Sequence, residues 1–312
     1  QMAGLTTTDV GELSTTQLGA LGADQIKSLT AASLSALDAT QTGALSTTQV
    51  KGLTTTQLSN LTTTDIGELS GTQLSALSNS QLASLSLNNV KALSTTQLGA
   101  LSSTQMGAFS TTNFSALDAT QVGSLTETQV KGLTTAQLGS LTAADIAELT
   151  ATQVGALTPT QVGAIGAFSA LDATQTAALS TTQVKGLTAN QLKSLTTTDV
   201  AELSETQVGA LTPTQLGALS ISALSALNAT QMGALSTTQI KGLTTVQLSN
   251  LTAADIGELS ATQVGALTAD QIKSLTPANL SALDATQVGA LTNSQVAAMT
   301  TTQLKGLSVT DI

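Results

Sequence analysis

The sequence predicts an all-α fold: a solenoid of very short, capped helices, one for each eight-residue repeat, wound into a superhelical rod. Three observations lead to this prediction. One octapeptide pattern runs from Leu5 to Ile312, its second and fifth positions carry helix-capping residues, and proline, lysine and acidic residues each fall at preferred positions of the repeat. A unit too short to bury its own apolar face is stabilised by stacking on its neighbours.

The repeat organises the whole chain. Counting from Leu5 as position 1 gives 20 octads, then a six-residue unit at 165–170, then 17 octads from Leu171. We therefore predict that residues 1–312 form one continuous array of 37 full octads plus the six-residue unit. Both ends fall within a repeat, and neither resembles the atypical capping repeats that close a solenoid. The sequence is thus expected to be a window on a longer array.

Two positions of the octad are the candidate core. Position 1 is leucine in all 37 full octads except at Phe109 and Met299, and position 6 is apolar except at Thr42 and Thr176. The remaining composition is unusual, because the chain has three Phe, no Trp and no Tyr. This apolar set suits a thin core repeated many times.

Positions 2 and 5 carry the signature of a helix start. Position 2 is Ser, Thr, Asp or Asn in every full octad except at Gly22, and position 5 is Gln or Asp in 32 of the 37. Such residues form a capping box, while apolar residues at positions 1 and 6 form the hydrophobic staple beside it. We predict that positions 1 and 6 point to a common axis and that Thr, Gln and Lys face outward.

Proline, lysine and acidic residues support the same register. Pro159, Pro213 and Pro277 all fall at position 3, the first helical residue, where a missing N–H has no cost. All nine lysines fall at position 7, and fourteen of the nineteen acidic residues lie at positions 2 to 5, so the charges complement the helix dipole. Gly and Ala dominate positions 7 and 8, which favours helix termination and a tight change of direction.

Two other architectures compete with this prediction. In a continuous helix the leucine stripe would drift by about 80° per octad, and Ser, Thr and Gly are poor interior residues. A β-solenoid is the stronger alternative, because Thr and Val favour strands and short periods are typical of β-helices. Positions 1 and 6 would then point to opposite faces of a strand, and the ordering of Pro, Lys and acids would have no explanation.

A longer period overlies the octad. Aspartate occupies position 5 in six octads, counting the partial one at the end. Three of the five intervals between successive aspartates are seven octads long and one is ten octads long. The remaining interval is seven octads less the two residues missing at 165–170. Octads of the LDATQ type precede them by a fixed lead of three octads. Two interpretations are open: seven octads fill two superhelical turns so that equivalent faces recur, or the period records segmental duplication. The aspartates are Asp9, Asp65, Asp145, Asp199, Asp255 and Asp311, and the leading caps are Asp38, Asp118, Asp172, Asn228 and Asp284.

Each complete acidic octad also ends in glutamate. A glutamate at position 8 lies at the unfavourable end of its own helix and repels the aspartate three residues earlier. A Ca²⁺ ion, a lysine two octads earlier (Lys51, Lys131, Lys185 or Lys241) or simple solvation could compensate. The candidate metal ligands are Asp9, Glu12, Asp65, Glu68, Asp145, Glu148, Asp199, Glu202, Asp255 and Glu258.

Composition narrows the possible functions. The chain has no His and no Cys, which removes the commonest general base, the commonest metal ligand and every disulfide. A net charge of −10 without basic patches or stacking aromatics argues against nucleic acids, and no apolar run is long enough to insert into a membrane. Every carboxylate occurs in several equivalent copies, whereas enzymes build one constellation once. We therefore predict no enzymatic activity and no cofactor other than possible Ca²⁺.

The run LSTTQVKGLTTTQLSNLTTTDIGEL, from Leu45 to Leu69, resembles the Leu/Thr/Gln-rich repeat regions of giant secreted or surface proteins of bacteria, often grouped with adhesins or haemagglutinin-like proteins. The resemblance covers practically the whole chain and is carried by a low-complexity pattern. It implies an extracellular or cell-surface location and a structural role as a filament, stalk or spacer.

A second function is open beside the structural one. Outward Thr and Gln ladders could form a repetitive binding surface of an adhesin for a glycan, a cell surface or ice. The expected partners are copies of the chain itself or neighbouring fibres, with surface glycan as a further possibility.

Overall fold

The computed structural model describes residues 4–307, and these residues are helical without any strand. This confirms the all-α solenoid of short helices and excludes the β-solenoid for the described part. Asp311, the last of the position-5 aspartates, lies outside it. The chain divides into two compact units, Gln1–Ala167 and Phe168–Ile312. The expectation of one continuous array over residues 1–312 stays a prediction.

Each octad of the first unit forms one helix of four to six residues. The helices are α1 Thr7–Gly11, α2 Thr15–Gly19, α3 Ala23–Lys27, α4 Ala31–Leu34, α5 Ala39–Ala44, α6 Thr47–Lys51, α7 Thr55–Ser59, α8 Thr63–Glu68, α9 Gly71–Ser75, α10 Asn79–Ala83, α11 Leu87–Lys91, α12 Thr95–Gly99, α13 Ser103–Met106, α14 Thr111–Phe114, α15 Ala119–Gly123, α16 Glu127–Lys131, α17 Thr135–Ser140, α18 Ala143–Ala147, α19 Ala151–Ala156 and α20 Pro159–Ala164.

The second unit begins with a 3₁₀ helix, Phe168–Ala170, in the six-residue unit and continues with one α-helix per octad. These are α21 Ala173–Ala177, α22 Thr181–Lys185, α23 Ala189–Ser194, α24 Thr197–Glu202, α25 Glu205–Ala210, α26 Pro213–Ala218, α27 Ile221–Ser225, α28 Ala229–Gly233, α29 Thr237–Ile240, α30 Thr245–Asn250, α31 Ala253–Gly257, α32 Ala261–Ala266, α33 Ala269–Ser274, α34 Pro277–Ser281, α35 Ala285–Gly289, α36 Asn293–Ala298 and α37 Thr301–Gly306.

The helix starts follow the predicted capping chemistry. In α6, the Ser46 hydroxyl accepts a hydrogen bond from the amide of Gln49, and the Gln49 side chain accepts one from the amide of Ser46 at 2.8 Å. The three prolines are the first residues of α20, α26 and α34, as predicted. At Gly22, which has no side chain to offer, only the backbone half remains, and its amide donates to Gln25 Oε1 at 2.8 Å.

The helices within each unit stack with a period of three. Helix α1 packs on α4, α2 on α5 and α3 on α6, and the same relation recurs through both units. The 3₁₀ helix Phe168–Ala170 packs on α23, so the six-residue unit takes the place of one octad in the count. We call three successive octads a coil, and octads three apart a column.

The core is the one predicted from positions 1 and 6. Position-6 residues such as Val50 and Leu58 are fully buried, and position-1 leucines such as Leu53 are 5 % exposed. Burial of this apolar surface, at roughly 25 cal/mol per Å², is what holds together helices far too short to be stable alone.

Candidate functional site

The most regular chemical feature of the fold is the contact between one coil and the next, and glutamine builds it. The position-5 glutamines were expected to face outward with Thr and Lys, and this is wrong for Gln from Gln41 onward, whereas Gln17 and Gln25 in the first described coil are exposed. Gln49 is 2 % exposed and Gln137 is 1 % exposed. The prediction holds for lysine, since all nine lysines are exposed.

The geometry of Gln49 explains its burial. Its Nε2 donates to the carbonyl oxygens of Leu18 and Leu21, each at 2.8 Å, 31 and 28 residues earlier. Those carbonyls belong to the last turn of α2 and to the second residue after it, where backbone acceptors have no partner within the helix. One glutamine side chain therefore has two roles. Its Oε1 accepts the amide at the start of its own helix, and its Nε2 donates to the carbonyl oxygens at the end of a helix in the preceding coil.

The same bonds recur along both units. Gln129 donates to the carbonyls of Leu98 and Leu101 at 2.7 and 2.8 Å, and Gln263 to those of Met232 and Leu235 at 2.9 and 2.8 Å. A hydrogen bond contributes about 1 kcal/mol net, but a buried carbonyl left without a donor costs about 1–3 kcal/mol. The buried position-5 glutamines are thus required for one coil to stack on the next.

Asparagine or serine at position 5 performs the same task with a shorter polar side chain. Asn89, Asn113 and Asn279 each donate through Nδ2 to the position-1 carbonyl 28 residues earlier, at 3.1, 3.0 and 3.0 Å. Ser33 uses its hydroxyl to reach Leu5 O at 3.0 Å. The signal that could have revealed this was present in the sequence: position 5 varies little, and exposed positions usually vary more.

Aspartate at position 5 inverts the contact, because an ionised carboxylate accepts hydrogen bonds and cannot donate to carbonyls. A serine four octads earlier compensates. Ser35 Oγ donates to Asp65 Oδ2 at 2.6 Å, and Ser225 Oγ donates to Asp255 Oδ2 at 2.5 Å. The same pair joins Ser115 to Asp145 at 2.6 Å. The acidic octads are therefore matched to particular octads of the preceding coil.

The first and fourth acidic octads differ from these three. Asp9 lies in the first described coil, where Thr6 donates to it through its amide at 2.8 Å and through its hydroxyl at 2.7 Å. These hydrogen bonds lower the pKa of Asp9, so its contribution to stability is lost as the pH falls below the ordinary range of aspartate. Asp199 accepts the amide of Thr196 at 2.7 Å.

The position-8 glutamates lie partly buried at the ends of their helices. Oε2 of Glu68, Glu148, Glu202 and Glu258 is buried without a hydrogen-bond partner, so the suggestion that a lysine two octads earlier compensates is wrong for that oxygen. The physical reason is the three-octad coil, because octads two apart lie in different columns.

The predicted calcium ligands are not gathered into larger groups. Within residues 4–307, no three acidic side chains come together in a group able to hold a metal ion. Each pair, from Asp9 with Glu12 to Asp255 with Glu258, stays on its own helix, and more than six octads of sequence separate one pair from the next. The calcium interpretation stays a prediction that titration with millimolar Ca²⁺ tests.

Most helices end at positions 7 and 8, as predicted, and the small residues there have a further role. No glycine of residues 4–307 has a positive φ, so these glycines do not end helices in the left-handed conformation. They allow close approach instead. A Cβ on Gly132 would overlap the carbonyl oxygen of Ser103, and one on Gly242 would lie 2.6 Å from that of Pro213. Position 8 therefore stacks on position 3 of the preceding coil.

The same stacking gives the long period a physical meaning. The fixed lead of three octads places each LDATQ-type cap one coil before the acidic octad, in the same column. Position 3 of these cap octads is alanine, at 39, 119, 173 and 229. A side chain this small suits the position-8 glutamate of the next coil, which stacks on it. Seven octads are not a multiple of three, so successive acidic octads fall in different columns. The interpretation that seven octads fill two superhelical turns stays a prediction.

Open surface grooves also recur, but their chemistry changes. One groove in the first unit is lined by Ala83 and Thr134, and one in the second unit by Lys193 and Thr244. Lys193 corresponds to Ala83, and Thr244 to Thr134, at the same octad position two seven-octad periods later. Val246, which is 61 % exposed, lines the second groove. Equivalent surfaces therefore differ in both charge and polarity.

These features define an α-solenoid repeat protein with three octads to a coil. Two segments, residues 130–167 and 270–301, match the family described as the ALTTAQ repeat. No curated protein matches the chain. No helix of residues 4–307 is long and apolar enough to cross a membrane.

Proposed function

We propose that this chain is a structural spacer whose length is set by its number of octads and that it forms part of an extracellular filament, stalk or surface layer. The observation that carries the proposal is the repeated glutamine contact, in which each coil satisfies the helix ends of the coil before it. Further coils can be added through the same contact, and no ligand or partner protein is needed to form it.

The use of polar groups supports the same proposal. The glutamine and asparagine amides, the aspartates and the cap hydroxyls are engaged in the fold, and each recurs in many copies. A binding surface for a repetitive ligand, the alternative function, requires equivalent surfaces to keep their chemistry. The grooves at Ala83 and Lys193 differ in charge, so the structural role is the better supported of the two.

The extracellular location and the partners belong to this proposal as well. Their support is the resemblance of the repeat to those of bacterial surface proteins, together with an exterior rich in Thr and Ser. Neighbouring copies of the chain are the proposed partners. Labelling of the nine exposed lysines by a membrane-impermeant reagent on intact source cells tests the location, and labelling that appears only after lysis contradicts it.

The spacer role predicts how length responds to deletion. Removing residues 203–258 takes out seven octads, one long period, and preserves the order of octad types. With helices packed 8–10 Å apart, we expect the largest dimension to fall by about 20 Å while the cross-section stays constant. Small-angle X-ray scattering measures both quantities, and a cross-section that shrinks with chain length contradicts the proposal.

A shorter deletion provides the matched control. Removing only residues 203–250, six octads, places Asp255 four octads after Ala177 and so deprives it of its serine donor Ser225. We expect this smaller deletion to lower the melting temperature more than the seven-octad deletion does. Equal melting temperatures would show that column matching does not matter.

A further inference from the structure

Threonine replaces the apolar residue of position 6 in two octads, at Thr42 and Thr176. Each of them is followed three octads later, in the next coil, by a position-5 aspartate, Asp65 or Asp199. Thr42 is 7 % exposed, and no group of residues 4–307 forms a hydrogen bond with its hydroxyl. Valine has the same shape without a hydroxyl that must be buried, so apolar packing does not account for this threonine.

A hydrogen-bond donor is missing at the same place. A position-5 glutamine donates to carbonyl oxygens 31 and 28 residues earlier, and for Asp65 these belong to Leu34 and Leu37. The carbonyl of Leu34 accepts the Leu37 amide at 3.2 Å. No group in the described part of the chain donates to the carbonyl of Leu37, although Leu37 is a buried residue. A buried carbonyl without a donor is costly, so a partner for it is expected.

The carboxylate of Asp65 has one oxygen to spare. Its Oδ2 accepts hydrogen bonds from the Thr62 amide at 2.7 Å and from the Ser35 hydroxyl at 2.6 Å. Its Oδ1 accepts none from residues 4–307, although Asp65 is a buried residue. The carboxylate can therefore accept one more donor.

These three groups belong to residues that line one cavity in the core. Thr42, Asp65, Leu34 and Leu37 line it together with four other position-1 leucines, and all eight residues are buried. The cavity has a volume of about 20 Å³. A site for one water molecule needs roughly 10–15 Å³ and two to four polar partners. The cavity therefore has room for one water molecule and not for a larger ligand.

We propose that this cavity binds one ordered water molecule, which takes the place of the missing glutamine amide between two coils. The water donates one hydrogen to the carbonyl of Leu37 and the other to Oδ1 of Asp65, and it accepts the hydroxyl hydrogen of Thr42. Three hydrogen bonds are typical of a buried water. The core threonine is thus explained as a ligand of this water.

A bound cation fits the cavity less well. Ca²⁺ takes six to eight oxygen ligands, and this cavity offers one hydroxyl, one free carboxylate oxygen and the carbonyl of Leu37. The six lining side chains other than Thr42 and Asp65 are leucines. Oδ2 of Asp65 is already engaged by two donors. Water, which both donates and accepts, matches this set of groups.

Two other acidic octads lack the same combination. Below Asp145, Phe114 stands at the position that corresponds to Leu34, and below Asp255, Met232 stands at the position that corresponds to Thr42. Both side chains are bulkier than their counterparts, and neither brings a hydroxyl. The inference is therefore confined to the coil contact of Asp65.

A high-resolution crystal structure of the full chain tests the proposal directly. We expect one density peak of water size within hydrogen-bond distance of Thr42 Oγ1, Leu37 O and Asp65 Oδ1. The peak should be lost in Thr42→Val, which has the same shape without the hydroxyl. A dry cavity in the wild type, a metal ion at this place, or a water that persists unchanged in Thr42→Val overturns the proposal.

Thermal unfolding followed by circular dichroism gives an independent test in solution. If the hydroxyl binds the water, Thr42→Val should lower the melting temperature by about 2 °C or more. If the hydroxyl is buried without a partner, the same change should raise the melting temperature. An unchanged or higher melting temperature overturns the proposal.

The variant Asp65→Gln supplies the matched control, because it restores the amide that other octads use to reach the two carbonyls. In this background the water has no role, so adding Thr42→Val should cause no loss of melting temperature. An equal loss in both backgrounds would show that Thr42 acts independently of the water, and it too overturns the proposal.

Discussion

Changing Gln129 to glutamate should destabilise the solenoid by about 3–5 kcal/mol at neutral pH, the range expected for a buried and unpaired charge. The substitution keeps the shape of the side chain and the Oε1 that accepts the Thr126 amide at 2.9 Å. It replaces Nε2, which donates to Leu98 O and Leu101 O, by an oxygen facing two carbonyl oxygens. Urea unfolding monitored by circular dichroism measures the loss.

Gln17 provides a matched position in the first coil. It caps its helix in the same way, with the Ser14 amide donating to Oε1 at 2.9 Å, but it lies in the first described coil, where its side chain is exposed. Gln17→Glu should change stability by less than about 0.5 kcal/mol, because glutamate is itself a good capping-box residue. Gln129→Asn, which keeps a donor, should cost less than Gln129→Glu. Equal losses of stability at positions 17 and 129 would contradict the role of the glutamines as hydrogen-bond donors to the preceding coil.

Adding a single methyl group to Gly132 should destabilise the first unit by about 1–3 kcal/mol or more, the cost of overpacking. The new Cβ would overlap Ser103 O and lie 2.5 Å from Ser103 C, and backbone atoms cannot move aside as a flexible side chain can. The coil contact between positions 8 and 3 must therefore open. Thermal unfolding of Gly132→Ala measures the loss.

Gly123 gives the opposite expectation for the same chemical change. It is the last residue of α15, and a Cβ there would meet nothing within 4 Å. Gly123→Ala should therefore be neutral or stabilise the protein by up to about 1 kcal/mol, because alanine favours helices. Destabilisation by both substitutions to the same extent would show that glycine flexibility, and not close packing, is required at Gly132.

Much of the fold could be predicted from the sequence because local rules fix it. The caps, the staple and the positions of Pro159, Pro213 and Pro277 depend on interactions within one octad, so their spacing along the chain is enough. The burial of the position-5 side chains could not be predicted from interactions within one octad. A capping glutamine uses only Oε1 within its own octad, and the partners of Nε2 lie 28 and 31 residues away.

The number of octads per coil depends in the same way on contacts distant in sequence. The fixed lead of three octads between Asp118 and Asp145 carried the information, but nothing within one octad says that the lead equals one coil. The buried oxygens of Glu148 and its equivalents were also beyond local rules, because their surroundings come from the preceding coil.

The central claim, three octads to a coil, can be tested most directly by disulfide formation, since the chain has no cysteine of its own. A Cβ on Gly209 would lie 4.0 Å from the Cβ of Ala234 in the next coil, within the roughly 3.5–4.5 Å that a disulfide requires. Gly209→Cys with Ala234→Cys should therefore form an intramolecular crosslink under mild oxidation. Gly209→Cys with Ala226→Cys, one octad short of a full coil, should not. A crosslink in the second pair and none in the first would contradict the three-octad coil.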